Sequence, residues 1–200
     1  MRREIYPEVI GIRSRRGGTG KTTYALKLAQ EQTLRGKRVC VIDFDILGAG
    51  VFPHLGVTHP PRTTIARIKK TLKNGDRKYL EHYYMTANPD TYDQRKLYVP
   101  YQGFTIIFNE TCQADGRTDF MILVDNEDLY EEIWAKTDIL LKKLGADGFD
   151  LVIIDCHLGD YFLAGVVAKV ADCKHTVLAP GEHIITIDPK PNRKRVSGRA

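Results

Sequence analysis

Residues 14–23 of this 200-residue chain read Ser-Arg-Arg-Gly-Gly-Thr-Gly-Lys-Thr-Thr and run directly into helix-forming sequence. The three glycines lack a Cβ, so consecutive backbone N–H groups can turn inward around an anion. The helix that follows directs the positive end of its dipole at the same point. Lys21 can reach the outer phosphates of a nucleotide, and the Thr22 hydroxyl can ligate Mg²⁺. The stretch therefore predicts a phosphate-binding loop, with a purely structural glycine turn as the alternative.

The sequence on either side of the loop alternates between strand and helix patterns. Short apolar runs bounded by turn residues indicate buried strands, and apolar residues spaced three and four apart indicate helices. This alternation predicts an α/β fold with a mainly parallel sheet flanked by helices. The strands are expected at 9–12, 38–44, 104–108, 120–124, 151–155 and 176–180, and the helices at 21–36, 63–72, 126–144 and 160–171.

The chain is expected to form one domain, residues 1–187, followed by a basic tail. Residues 188–200 contain two prolines, five basic side chains from Lys190 onward and no apolar pattern, so we expect them to be disordered. The four cysteines, at positions 40, 112, 156 and 173, form no C-x-x-C pair and are expected to be mostly small buried hydrophobic residues.

Three aspartates follow predicted strands, at the edge where open α/β sheets bind ligands. Asp155 closes the run FDLVIID, and Asp43 and Asp45 lie in VIDFD. Asp155 and Thr22 would be enough protein ligands for Mg²⁺, which also binds phosphate oxygens and water. Asp43 and Asp45 are two residues apart and share a face of an extended chain, so both could point into the same cleft. Loop-capping carboxylates are the alternative for all three.

These pieces together resemble the ParA/MinD family of P-loop ATPases. The ordinary phosphate-loop pattern needs glycine at position 15, which is Arg15 here; the family's deviant Walker A motif instead has a basic residue followed by Gly-Gly-x-Gly-Lys-[ST]. The matching segments are RRGGTGKTT, VIDFDILG, FDLVIIDCHLG and TVLAPGEH. The resemblance implies the P-loop NTPase fold, with ATP and Mg²⁺ as ligands. It also implies that the family's later strands, which would follow residue 183, are missing.

The resemblance also assigns roles to individual residues. Arg16 stands where the family usually has a lysine that reaches the partner's ATP across a dimer, and arginine is longer than lysine and not interchangeable with it. Asp45 would orient the attacking water, Asp43 would support Mg²⁺ through water, and Lys21 would take up charge on the transferred phosphoryl group. The implied nucleotide-binding residues are Gly17, Gly18, Thr19, Gly20, Lys21, Thr22, Thr23 and Gly159, the last as a backbone sensor of the γ-phosphate.

The function implied by the resemblance is ATP binding and hydrolysis in a nucleotide-dependent dimerisation switch. Such a protein would act in plasmid partition or in positioning DNA or other cargo, as an ATP-dependent homodimer with an activating partner protein. The alternative is a degenerate or truncated nucleotide-binding module without enzymatic activity, which signals its bound state to a partner. The related iron-protein ATPases are disfavoured, because they usually carry cysteine pairs that this chain lacks.

Charge and hydropathy limit the partners. The formal net charge is +5, and two basic segments stand out: 62–78 has seven basic side chains against one aspartate, and 190–200 has five and no acid. They could bind non-specific DNA through its phosphates, although a solvated helix face and a solubilising tail are the simpler interpretation. No apolar run is long enough to cross a bilayer, no signal-peptide pattern begins the chain, and the tail has no amphipathic helix. We therefore expect a cytoplasmic protein that does not bind membranes.

Overall fold

The structure is a computed structural model that describes residues 6–44, 51, 54, 98–107, 127–156 and 162–187. The predicted segments at 63–72 and 120–124, the tail, and the site residues Asp45 and Gly159 lie outside the described residues. The elements, in chain order, are β1 (Glu8–Ser14), α1 (Lys21–Leu34), β2 (Val39–Phe44), β3 (Val99–Tyr101), β4 (Phe104–Ile107), α2 (Glu127–Ala146), β5 (Leu151–Cys156), α3 (Phe162–Val170), β6 (Cys173–Ala179) and β7 (Glu182–Ile187).

The described strands form one sheet in the order β3-β4-β2-β5-β1-β6-β7. The five central strands are parallel, and the two edge strands, β3 and β7, run antiparallel to their neighbours. Every residue of β2 and β5 is buried, as expected when both faces of a parallel sheet are covered. The mainly parallel α/β sheet predicted from the sequence is confirmed.

Helices cover both faces of the central sheet. One core layer joins α1 to the sheet, through Ala25 and Ala29, and the other joins α2 and α3 to it, through Leu141, Leu144 and Val166. Gly11 of β1 shows how close the second layer comes, because a Cβ added there would lie 2.6 Å from Val167 Cγ1. Two of the cysteines expected to be buried, Cys40 and Cys156, are buried free thiols, and burial raises the pKa of Cys40.

The structure differs from the predicted elements in two details. Helix α2, predicted to end at Gly145, continues to Ala146. The chain then turns at Gly148, whose φ of 85° is left-handed. The Gly148 N–H donates to the Gly145 carbonyl at 3.0 Å, which closes the helix end. The second detail is β7, a strand in a segment that the sequence analysis left unassigned. It follows a Pro180-Gly181 turn in which Gly181 has a φ of 84°.

Candidate nucleotide-binding site

The loop between β1 and α1 has the backbone geometry that its glycines predicted. Gly18 and Gly20 have φ values of 71° and 83°, a left-handed region that other residues rarely adopt. A Cβ at either position would meet nothing within 4 Å, so backbone conformation and not space requires glycine here. The Ser14 hydroxyl donates to the Arg16 carbonyl at 3.0 Å, which fixes the start of the loop.

The first turn of α1 is open toward the loop. Gly20 is the N-cap and has no side chain with which to cap the helix; its carbonyl accepts from the Tyr24 N–H at 2.8 Å. No acidic residue lies in the first turn to offset the helix dipole. Thr19 adds a buried hydroxyl that has no hydrogen-bond partner among the described residues. Backbone N–H groups, the dipole and this hydroxyl together make an anion site.

A cavity of about 320 Å³ opens at the loop. It is lined by Ser14, by the whole run from Arg16 to Thr23 and by His54. The structure therefore brings all seven nucleotide-binding residues predicted in the loop to one cavity. The sequence analysis did not single out His54, since it lies thirty residues from the loop in a segment with no recognisable motif.

A buried ion pair links the loop to the end of β5. Lys21 Nζ lies 3.2 Å from Asp155 Oδ1, and both side chains are almost fully buried. The parallel pairing of β1 with β5 sets Ile12 beside Asp155, which brings the carboxylate under the loop. Burying two charges is costly unless they are paired with good geometry. The predicted phosphate-binding lysine and the predicted Mg²⁺ ligand thus contact each other directly.

Asp43 lies beside this pair but has a different partner. It is in register with Asp155 on the neighbouring strand, and both residues are completely buried. One oxygen of Asp43, Oδ2, accepts from the Val51 N–H at 2.9 Å. Asp43 therefore binds the backbone of Val51 in this structure, and its support of Mg²⁺ through water stays a prediction.

The remaining predicted site residues are Arg16, Asp45 and Gly159. Arg16 is exposed and lines the same cavity as the rest of the loop. Asp45 and Gly159 lie outside the described residues. Within the described part of the chain, no group of three His, Cys, Asp or Glu side chains could hold a metal ion. Thr22 and Asp155 still fit Mg²⁺, because both supply hard oxygen ligands and this ion takes few protein ligands.

Behind the loop, Tyr24 connects α1 to the edge of the sheet. Its hydroxyl lies 2.8 Å from His175 Nδ1 on β6, and its ring lies 4.6 Å from that of His183 on β7. Burial lowers the pKa of His175, and the nearby His183 lowers it further, whereas Glu8 opposes the shift. Burial also raises the pKa of Tyr24. Both groups are therefore neutral near pH 7.

The N-terminal part of the chain, which contains the loop, is similar to known proteins. A family model described as ParA, NUBPL iron-transfer P-loop NTPase, matches residues 6–79. The iron-sulfur cluster carrier protein of Rickettsia bellii is 37% identical over 66 residues, which is 32% of this chain and 20% of that protein. The chain thus matches about a fifth of the length of this curated relative.

Solved structures share the fold at low identity. Cobyrinic acid a,c-diamide synthase from Mycobacterium smegmatis, with bound ATP analogue and magnesium, matches with a TM-score of 0.56 and 20% identity, over 86% of this chain and 60% of that one. A ParA family ATPase from Chlorobium tepidum matches with a TM-score of 0.52 and 17% identity, over 84% and 59%. No described helix is long and apolar enough to cross a membrane. The family model covers the glycine loop within residues 6–79, and the solved structures share the fold, so the chain resembles the ParA/MinD-type P-loop NTPases in its phosphate loop and in its mainly parallel sheet.

Proposed function

We propose that this chain binds ATP and Mg²⁺ at residues 14–23, hydrolyses the ATP, and uses it as a switch for dimerisation. The observation that carries the proposal is the loop itself, with two left-handed glycines, an uncapped helix start and a buried lysine around one cavity. Backbone N–H groups and Lys21 would stabilise the negative charge of the phosphates. Phosphoryl transfer needs little covalent chemistry from the protein beyond this stabilisation.

The contact between Lys21 and Asp155 fits a resting state of this site. Lys21 would exchange the Asp155 carboxylate for a phosphate oxygen when nucleotide enters the loop. Asp155 would then be available, with Thr22, to hold Mg²⁺, and Asp43 would support the ion through water. The ion would supply positive charge beside the phosphates. The lysine keeps the carboxylate compensated until the ligand arrives.

Arg16 is proposed to act across the dimer. Its exposed position on the loop allows it to reach a nucleotide held by a second subunit, and its planar guanidinium can bind two phosphate oxygens at once. Asp45 would orient the attacking water, and the Gly159 N–H would sense the γ-phosphate. These last two roles rest on the family resemblance alone.

For the cargo, we propose DNA or another large assembly, and an activating partner protein that stimulates hydrolysis. The basic residues of 62–78 and 190–200 give the chain the charge for non-specific binding to phosphates. An iron-sulfur cluster is not proposed as cargo, because the similarity to the carrier protein spans only 66 residues and the chain has no C-x-x-C or C-x-C pair.

The test is molar mass by light scattering, with and without ATP and Mg²⁺, combined with phosphate release. We expect the Asp45→Ala variant to form a stable dimer with ATP, of twice the monomer mass, because it cannot hydrolyse the ATP that holds the two subunits together. Arg16→Ala should bind ATP but lose the increase in mass. Lys21→Ala should lose ATP binding by roughly tenfold to a hundredfold, the value of a charge-assisted hydrogen bond. Lys27→Ala, an exposed lysine on the same helix outside the cavity, is the matched control.

Two results would change this conclusion. A mass that saturating ATP never alters, in any variant, rules out the switch. ATP binding that depends on Lys21, with no phosphate release from the wild type, identifies the non-enzymatic module that the sequence left as the alternative.

A further inference from the structure

Strand β7 contributes no residue to the lining of the nucleotide-binding cavity. It is the last strand in the order of the sheet, and no described strand pairs with its outer edge. All six residues are exposed, including Ile184 at 55%, Ile185 at 52% and Ile187 at 72%. Three large apolar side chains are thus exposed on a strand whose outer backbone groups pair with no strand in the described part of the chain.

The opposite edge of the same sheet is protected in the usual way. Strand β3 has only three residues, and its central residue, Pro100, has no N–H to donate. Strand β7 is twice as long and contains neither proline nor lysine. The edge at β7 therefore retains the features that allow a further strand to pair with it.

Contacts with the body of the protein hold β7 in place. Its residues pair with β6 from Cys173 opposite Ile187 to Ala179 opposite Glu182. The His183 ring also packs on Tyr24 of α1 and stacks with His175 at 5.9 Å between ring centroids. A strand that is already ordered loses less conformational entropy than a flexible segment would when a second strand pairs with its outer edge.

Both faces of β7 carry isoleucine. Ile185 and Ile187 share the α1 face with His183, and Ile184 lies on the opposite face, opposite Thr176. A partner strand must therefore offer apolar side chains on both of its faces. Strand β7 meets this requirement itself, and a two-fold interface uses the same surface on both subunits.

We propose that β7 pairs antiparallel with β7 of a second copy of this chain, about a two-fold axis at Ile184. In this register Ile184 faces the partner's Ile184, and His183 faces the partner's Ile185. Glu182 faces the partner's Thr186, which sets a carboxylate against a hydroxyl and no like charges against each other. Apolar pairs of this kind stabilise neighbouring strands, and the two sheets become one.

This interface is separate from the proposed ATP-dependent dimer. The phosphate loop follows β1, two strands from β7, and Arg16 lies on that loop. Pairing through β7 therefore requires no nucleotide and no contribution from Arg16. In Ile184→Lys, ATP should still double the mass as the proposed switch requires, so failure of one interface can be distinguished from failure of the other.

The first test is molar mass by light scattering over a range of protein concentrations without nucleotide. The wild type should rise to about twice the 22.7 kDa of the chain as concentration increases. Ile184→Lys sets two lysines opposite each other and should raise the dissociation constant roughly tenfold or more. Leu34→Lys is the matched control: it removes another exposed apolar side chain, 82% exposed at the end of α1, and should behave as the wild type. Far-ultraviolet circular dichroism checks that each variant is folded.

The second test checks the register by cross-linking. At the axis, the two Cα atoms of residue 184 would be about 4.5–5.5 Å apart, which a disulfide can span. Ile184→Cys should thus form a covalent dimer on mild oxidation. Ile187→Cys should not, since three residues on each side of the axis separate its two copies by about 20 Å. The wild type measures the background from the native cysteines.

Either test can overturn the proposal. The proposal is wrong if the wild type is monomeric at every concentration without nucleotide. It is also wrong if Arg16→Ala abolishes the nucleotide-free dimer. Equal cross-linking of Ile187→Cys and Ile184→Cys excludes the stated register.

Discussion

The centre and the β7 edge of the sheet distribute polarity in opposite ways. At the centre, Lys21, Asp43 and Asp155 are charged groups buried among apolar strands. At the edge, Ile184, Ile185 and Ile187 of β7 are large apolar side chains that are exposed. Soluble proteins usually bury the second kind of residue and expose the first. Each reversal carries a cost that a ligand or a partner would offset, and this is why we infer a nucleotide site at one and a docking strand at the other.

The largest expected effect tests the centre. Asp155→Ala removes the carboxylate that contacts the buried Lys21 ammonium, and we expect it to lower the free energy of unfolding by about 3 kcal/mol. We use the low end of the usual range, because the cavity next to Lys21 lets water approach. Chemical denaturation without nucleotide measures the loss.

An exposed ion pair provides the control. Glu8 and Lys37 contact each other at 3.0 Å with both side chains more than a third exposed, so Lys37→Gln should cost less than about 1 kcal/mol. The double variant Lys21→Met, Asp155→Leu should recover most of the stability lost in Asp155→Ala, since it removes both buried charges. An Asp155→Ala protein as stable as Lys37→Gln would mean that the central charges are not effectively buried.

Close packing beneath the loop gives the next effect. Gly11→Ala would place a methyl group 2.6 Å from Val167 Cγ1, so α3 or β1 must move, at a cost of about 1–3 kcal/mol. Thermal or chemical denaturation checks the value. Val167→Ala in the same chain makes space for the new methyl group, and the two substitutions should therefore cost less together than the sum of their separate effects. Strict additivity would show that this contact does not limit the approach of α3.

His175, near the β7 edge of the sheet, should make the stability of the protein depend on pH. The pKa of His175 in the folded protein is lowered below its ordinary 6.5 by burial and by His183, so the unfolded chain binds a proton first as the pH falls. Stability is thus complete above pH 6.5 and decreases as the pH falls below it toward the lowered value. Denaturation across this pH range measures the effect.

His175→Gln is the variant that isolates this residue. Glutamine does not titrate but can still hydrogen-bond to the Tyr24 hydroxyl, which lies 2.8 Å from Nδ1 in the wild type. It should therefore flatten the stability profile below pH 6.5 without a comparable loss at pH 8. A profile with the wild-type slope would show that His175 is not the source of the pH dependence.

These contrasts also show how far the sequence could lead. The loop and Asp155 were predictable because their signals are local, namely a glycine pattern and the end of an apolar strand. The ion pair between Lys21 and Asp155 joins residues 134 apart in the chain, and the Tyr24–His175 bond joins residues 151 apart, so no spacing rule indicates either contact. Strand β7 was missed because its burial does not alternate: every residue is exposed, whereas sequence patterns detect strands with a buried face.

The smallest expected effect tests whether β7 truly contributes little to the fold. Ile187 is 72% exposed, so Ile187→Thr should change the free energy of unfolding by less than about 0.5 kcal/mol. Threonine retains the β-branched shape that strands favour, so only the apolar surface changes. The buried Ile153 of β5 is the counterpart, and Ile153→Thr should cost several times more, because it puts a hydroxyl among apolar neighbours. Equal losses at both positions, measured by denaturation at low protein concentration, would mean that Ile187 is covered in solution and that the edge is not an exposed surface.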